Sequence, residues 1–73
     1  MKSWTEIRCA VRIMIDLARH EGERVRLKDI ARRQEINAKY CEKIVPKLQI
    51  AGLAKSIRGA RGGYLLARPA KEI

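Results

Sequence analysis

The stretch Ser56-Ile57-Arg58-Gly59-Ala60-Arg61-Gly62-Gly63-Tyr64-Leu65-Leu66-Ala67-Arg68-Pro69 sets three glycines among three arginines. A glycine-rich basic segment can cradle a nucleotide phosphate, act as a flexible linker, or reach into a nucleic-acid groove. The phosphate-loop reading fails: no Lys-Ser or Lys-Thr pair follows the glycines, and a strand pattern rather than a helix comes next. Apolar runs at 53–57 and 64–67 bracket Arg58-Gly59-Ala60-Arg61-Gly62-Gly63, which predicts a β-hairpin with a basic tip. Glycine supplies turn conformations there and lets the backbone lie close to a partner.

The residues ahead of the hairpin decide what it is attached to. Helical spacing runs from Ala38 to near Gly52, with Tyr40, Cys41, Ile44, Val45, Leu48 and Ala51 on one side. Lys39, Glu42, Lys43, Pro46 and Lys47 take the other side. Asn37 can cap this helix through its side-chain oxygen, and Gly52 suits its end. Pro46 removes the bond to the Glu42 carbonyl and predicts a kink. A shorter helix is expected over 28–34, with Ile30 and Ala31 inward, Arg32 and Arg33 outward, and Glu35-Ile36-Asn37 as the turn.

Two helices joined by so short a turn form a helix-turn-helix candidate. Small Ala31 suits the closest crossing, and Ile36, Cys41 and Ile44 supply inward residues. Glu35 stands where such a turn favours a glycine with positive φ, at a cost of about 1 kcal/mol. Arg24-Val25-Arg26-Leu27 alternates and reads as a brief edge strand. A hairpin directly after the motif makes it a winged helix-turn-helix, mostly α with a small β-hairpin. One domain is expected over 1–73, with helices at 5–20, 28–34 and 38–51 and the wing at 53–67.

The first helix carries more apolar surface than a lone domain needs. On a helical wheel Ile7, Ala10, Val11, Met14, Leu17 and Ala18 form the main arc, with Ile15 at its edge. Arg8, Arg12, Asp16 and Arg19 are expected opposite, and Cys9 and Ile13 fall outside the main arc. Thr5 is the expected N-cap, Glu6 sits in the first turn, and Gly22 offers a stop. The surplus apolar stripe implies contact with another subunit or a further segment.

Charge narrows the partners. The chain has 73 residues, 17 Lys+Arg against 8 Asp+Glu, and a formal net charge of +9. Such an excess implies a polyanion: DNA, RNA or an anionic membrane surface. The only aromatics are Trp4, Tyr40 and Tyr64, a poor supply for stacking single-stranded nucleic acid. Arg8, Arg12 and Asp16 break the first apolar stretch, which excludes a signal core or membrane span there. The two cysteines, Cys9 and Cys41, have no CxxC spacing, so reduced thiols in a cytoplasmic protein are the default.

The order Tyr40-Cys41-Glu42-Lys43-Ile44, then Leu48, Ala51-Gly52-Leu53 and the wing with its Gly-Gly-Tyr, closely resembles the Rrf-two family of bacterial regulators. Ala10-Val11-Arg12, Met14, Leu17-Ala18 and Asp29-Ile30-Ala31 fit the same pattern, so the resemblance covers essentially the whole chain. It implies a homodimeric, sequence-specific transcription factor of the bacterial cytoplasm and nucleoid, most simply a repressor, with its second motif helix in the major groove. Position by position, Lys39, Glu42 and Lys43 match the base-reading positions, and Arg58 matches the arginine placed at the minor groove. Many members continue into a cysteine-bearing loop that binds an iron–sulfur cluster and a long dimerisation helix, both beyond Ile73. Some use a carboxylate near the eighth residue as a ligand, where this chain has Arg8. The expectation is therefore a DNA-binding domain, as a fragment or a minimal relative, with no cofactor of its own and no small-molecule substrate.

The residues agree independently. Glu42 can accept from cytosine N4, and lysines can reach guanine or phosphate. A narrow A·T-rich minor groove favours Arg58 and Arg61. The candidate contact set to double-stranded DNA is Lys28, Asn37, Lys39, Tyr40, Glu42, Lys43, Lys47, Ser56, Arg58, Gly59 and Arg61.

Plainer readings stand beside these. Lys39, Lys43 and Lys47 can be a solvated face, and Tyr40 can pack with a wet hydroxyl. Trp4 reads as a lid over the first helix, His20 as a surface residue at a helix end, and Cys41 and Cys9 as packed thiols. An RNA-binding or protein-interaction winged helix remains the alternative function. Catalysis lacks a nucleophile arrangement or paired carboxylates.

Overall fold

The computed structural model describes residues 3–59 and 62–72. Helix α1 spans Trp4–Arg19, α2 Leu27–Gln34 and α3 Ala38–Ile50; strands β1 and β2 span Ala54–Ile57 and Gly63–Leu66. A 3-10 turn at Ala70–Glu72 follows. The α2–turn–α3 pair and the antiparallel β1–β2 hairpin are the winged helix-turn-helix expected from the sequence. Among the described residues, no helix is long and apolar enough to cross a membrane.

Ser3, not Thr5, caps α1: its hydroxyl oxygen accepts from the Glu6 amide at 3.1 Å. Both residues can cap, and the observed cap lies two residues ahead of the expected one. Asn37 caps α3 as expected, its Oδ1 accepting from the Lys39 and Tyr40 amides at 2.8 and 3.2 Å. Glu35 adopts φ 54°, ψ 45°, the left-handed conformation that turns the chain from α2 towards α3. Helix α3 is continuous through Pro46, which lies on its exposed side.

The core is built from Cys9, Ala10, Ile13 and Leu17 of α1, Ile30 and Ala31 of α2, Cys41, Ile44, Val45 and Leu48 of α3, with Val25, Ala54 and Leu66. This corrects the expected orientation of α1. Cys9, Ile13 and Asp16 face inward, whereas Val11 and Ile15 of the expected core arc are half exposed. The reason is a charged anchor that hydrophobicity ignores. Asp16 is 1 % exposed, and its carboxylate accepts from Arg33 Nε and Nη2 at 3.0 and 2.8 Å and from Gln34 Nε2 at 3.1 Å. His20 Nδ1 donates to the Asp16 carbonyl oxygen at 2.8 Å. The paired carboxylate tolerates burial and rotates α1 so that its bulkier apolar stripe is left outside. Arg33, expected to point away, is the partner that makes this possible.

Trp4 is also corrected: it is 71 % exposed and covers no core. By helical spacing it heads the outer stripe of α1.

The expected edge strand shrinks to one bridge. Val25 and Tyr64 exchange both backbone bonds, at 3.0 and 2.8 Å, and Leu27 already belongs to α2. Within the hairpin Ala54 pairs with Leu66, Lys55 with Leu65, Ser56 with Tyr64 and Ile57 with Gly63. A Cβ at Gly63 would lie 2.9 Å from the Val25 carbonyl oxygen. Glycine there lets the wing strand lie against the segment leading into α2, so the wing is fixed to the helical body along one side.

Candidate nucleic-acid interface

Helix α3 presents an outer strip of Lys39, Glu42, Lys43, Pro46 and Ile50, all exposed. Its inner side is fully committed to the core, which fixes the rotation of the helix and hence the direction of the strip. The α2–α3 turn is closed by the Ile36 amide donating to the Ala31 carbonyl at 2.9 Å. Arg12 of α1 adds a bond from its Nη1 to the Gln34 carbonyl at 3.0 Å, satisfying an end-of-helix acceptor. The strip is thus carried by a braced element.

The expected site residues separate into three groups. Lys39, Glu42 and Lys43 share the α3 strip, and Lys28 is exposed at the start of α2. Ser56, Arg58 and Gly59 are exposed on the wing, where Gly59 has φ +120° and its carbonyl accepts from the Gly62 amide at 2.9 Å. Arg61 lies outside the described residues. The third group is already engaged. The Asn37 side chain caps α3, Tyr40 is half-buried against the core, and Lys47 donates to Glu6 Oε2 at 3.1 Å.

Sequence reasoning missed Glu6. Its carboxylate on α1 draws Lys47, and at 3.9 Å Lys43, back towards the body. Lys43 also stands 5.8 Å above the Tyr40 ring, a cation–π contact. The helical wheel identifies these lysines as outward but cannot show which carboxylate of another helix meets them. Arg24 and Arg26 were missed as well: with Asp29 and Gly62 they line a groove of about 410 Å³ between the start of α2 and the wing.

Four of the eight acidic residues are engaged within the fold. Asp16 pairs with Arg33, Glu6 with Lys47, Asp29 with Arg32 at 3.3 Å, and Glu21 accepts from the Ala70 amide at 3.0 Å. Hydrogen bonding from the Arg33 guanidinium holds the Asp16 carboxyl below the usual carboxylate range, despite its burial. What remains outward on α3 and the wing is mainly positive, with Glu42 the carboxylate inside the strip.

A separate surface is apolar. Ile7, Val11, Met14, Ile15 and Ala18 of α1, with Leu53, Leu66 and Ala70, line a groove of about 470 Å³.

Comparison with known proteins places these features together. A family profile described as "Rrf2: Iron-dependent Transcriptional regulator" matches residues 4–73. The chain is 46 % identical over 74 residues to "Protein rrf2" of Nitratidesulfovibrio vulgaris strain Hildenborough, covering all of this chain and 49 % of that protein. It is 48 % identical over 67 residues to the HTH-type transcriptional regulator CymR of Bacillus subtilis, covering 90 % of this chain and 49 % of CymR. The solved structure of T. potens IscR superposes with a TM-score of 0.91 at 46 % identity, over all of this chain and 54 % of that one. The chain therefore spans about half the length of the relatives it matches.

Proposed function

The chain belongs to the Rrf2 family of transcriptional regulators, and from that premise we propose that it binds double-stranded DNA as a sequence-specific regulator, acting as a repressor. The observation that carries the reading is the outer strip of α3. It combines two exposed lysines with one exposed carboxylate on a braced helix, beside a wing whose Arg58 is exposed. A purely electrostatic surface would exclude a carboxylate. A base-reading surface can use one, since Glu accepts from cytosine N4 while Lys39 and Lys43 reach guanine or phosphate. Helix α3 enters the major groove, and Arg58 follows the adjacent minor groove. Lys28, Ser56 and the backbone at Gly59 serve phosphates, with Arg61 expected beside them. Asn37 acts by holding the start of α3, and Lys47 contributes once released from Glu6.

The functional unit we propose is a homodimer in the cytoplasm, joined through the apolar groove of α1. Exposed Ile7, Val11 and Ile15 form a contiguous patch, and contiguous apolar surface of this kind marks an interface.

Iron, which the family description names, does not fit the donors among the described residues. Among the described residues no three His, Cys, Asp or Glu side chains are grouped to hold a metal ion. Cys9 and Cys41 are both buried among the apolar side chains of the core, and position eight is Arg8. We assign no cofactor and no small-molecule substrate to these residues.

Binding to a duplex titrated against salt tests the proposal. The logarithm of affinity should fall linearly with the logarithm of salt, by about 0.9 per neutralised phosphate. Affinity indifferent to salt, or structured RNA outcompeting duplex DNA, would overturn it.

A further inference from the structure

Arg24 and Arg26 flank Val25 in the segment that leads into α2. Val25 is buried and exchanges its backbone bonds with Tyr64 of the wing, at 3.0 and 2.8 Å. Residues two apart in extended backbone share a face. The two exposed arginines therefore leave the chain on the same side, away from the core. Both line the groove of about 410 Å³ between the start of α2 and the wing. Their backbone is tied on the other side as well, because the Arg26 carbonyl accepts from the Asp29 and Ile30 amides at 3.0 and 3.1 Å. A fixed stem lowers the ordering cost of any contact the side chains make.

The groove is charged and open. Among the described residues neither arginine forms an ion pair. The carboxylate that lines the groove, Asp29, is held by Arg32 at 3.3 Å. Two like charges sharing a groove repel each other, and an anion between them removes that cost. The wing contributes Gly62, where a Cβ would lie 2.7 Å from the Ile57 carbonyl oxygen. The tight turn thus keeps bare backbone beside the arginines, and a bulky anion can approach.

We infer that Arg24 and Arg26 grip the sugar–phosphate backbone of the duplex beyond the base pairs that α3 faces, as a phosphate anchor separate from the α3 strip. The groove is continuous with the proposed interface: Lys28 is exposed on its α2 side, and Ser56, Arg58 and Gly59 are exposed on the wing. A guanidinium is planar and pairs two N–H donors with one phosphate. A free phosphate ion competes poorly with water at so open a site. A polymer already held by α3 and the wing presents its phosphates at high local concentration. The anchor adds affinity without reading sequence, since a phosphate is the same beside every base pair. The inference rests on the reading of the chain as a duplex binder.

The test uses the whole chain and compares the parent with Arg24→Gln/Arg26→Gln, whose melting by circular dichroism verifies the fold; the two single variants replace it should it not fold. On a random-sequence duplex the variant's log–log salt slope should be shallower by about 2, roughly one for each lost phosphate contact. On a duplex carrying the selected half-site, single backbone phosphates are then replaced in turn by neutral methylphosphonates. The parent should lose affinity at phosphates flanking the half-site where the variant is indifferent, and both should select the same sequence. A variant with the parent's salt slope and the parent's sensitivity at every phosphate would overturn the inference and leave duplex binding intact. A changed selected sequence would also overturn it, because the arginines would then read bases. A parent that binds no duplex would overturn both the inference and the reading beneath it.

Discussion

At the scale of single residues, Asp16 decides more than its polarity suggests. The sequence placed it on the outer side of the first helix with Arg8 and Arg12, because a wheel sorts residues by polarity alone. The buried pairing with Arg33 and Gln34 inverts that sorting. Asp16→Ala leaves a guanidinium and an amide without their acceptor and should cost about 2 kcal/mol, less than a fully buried pair because Arg33 can rehydrate. Denaturant unfolding measures it. The folded chain holds the Asp16 carboxyl below its ordinary value. Its contribution is therefore complete above the unfolded-chain value near ~4 and is lost as pH falls through the lower folded value. Stability measured between neutral and strongly acidic pH should fall more steeply for the parent chain than for Asp16→Ala. Equal slopes would remove Asp16 from the account. The candidate contacts were legible as residue types in a pattern, whereas the pull of Glu6 on Lys47 and Lys43 depends on how two distant helices pack.

At the scale of elements, the helix-turn-helix and the wing were legible because local chemistry specifies them. Asn37 caps α3, the turn needs a left-handed residue at Glu35, and the glycines frame a hairpin. Glu35 at φ 54° carries strain that a glycine would relieve. Glu35→Gly should stabilise the fold by about 0.5–1 kcal/mol, offset in part by a freer unfolded chain, and thermal unfolding would show the rise. Gly63→Ala should do the reverse. Its Cβ would meet the Val25 carbonyl at 2.9 Å, so the strand must move off the body at a cost of about 1–3 kcal/mol. The expected readouts are a lower denaturant midpoint and weaker duplex binding; an unchanged midpoint would mean that the Val25–Tyr64 bridge does not hold the wing. The short strand around Val25 was over-read because alternation cannot reveal how many residues find a partner. A single bridge is all the wing's edge accepts before α2 begins.

At the scale of the whole molecule, the surplus apolar stripe of α1 was legible as a surplus, but not which of two stripes it was. Ala10 and Leu17 of the expected arc are buried as the wheel suggests, and the pairing of Asp16 with Arg33 goes with the turn of the helix that also buries Cys9 and Ile13. The exposed stripe then predicts self-association through Ile7, Val11 and Ile15. Val11→Glu should leave the unfolding free energy of the dilute monomer within about 0.5 kcal/mol, as for an exposed position, while at high concentration sedimentation shifts from dimer to monomer; a parent chain that stays monomeric at high concentration contradicts the proposed interface. Under the proposed function α3 reads bases and does not merely attract phosphates. Selection of bound sequences from a random duplex pool, run in parallel for the parent chain and Glu42→Ala, tests it most directly. The parent should enrich a half-site, and Glu42→Ala should lose preference at one base position while keeping salt-sensitive affinity. A pool that shows no enrichment, or the same half-site from both proteins, would contradict it.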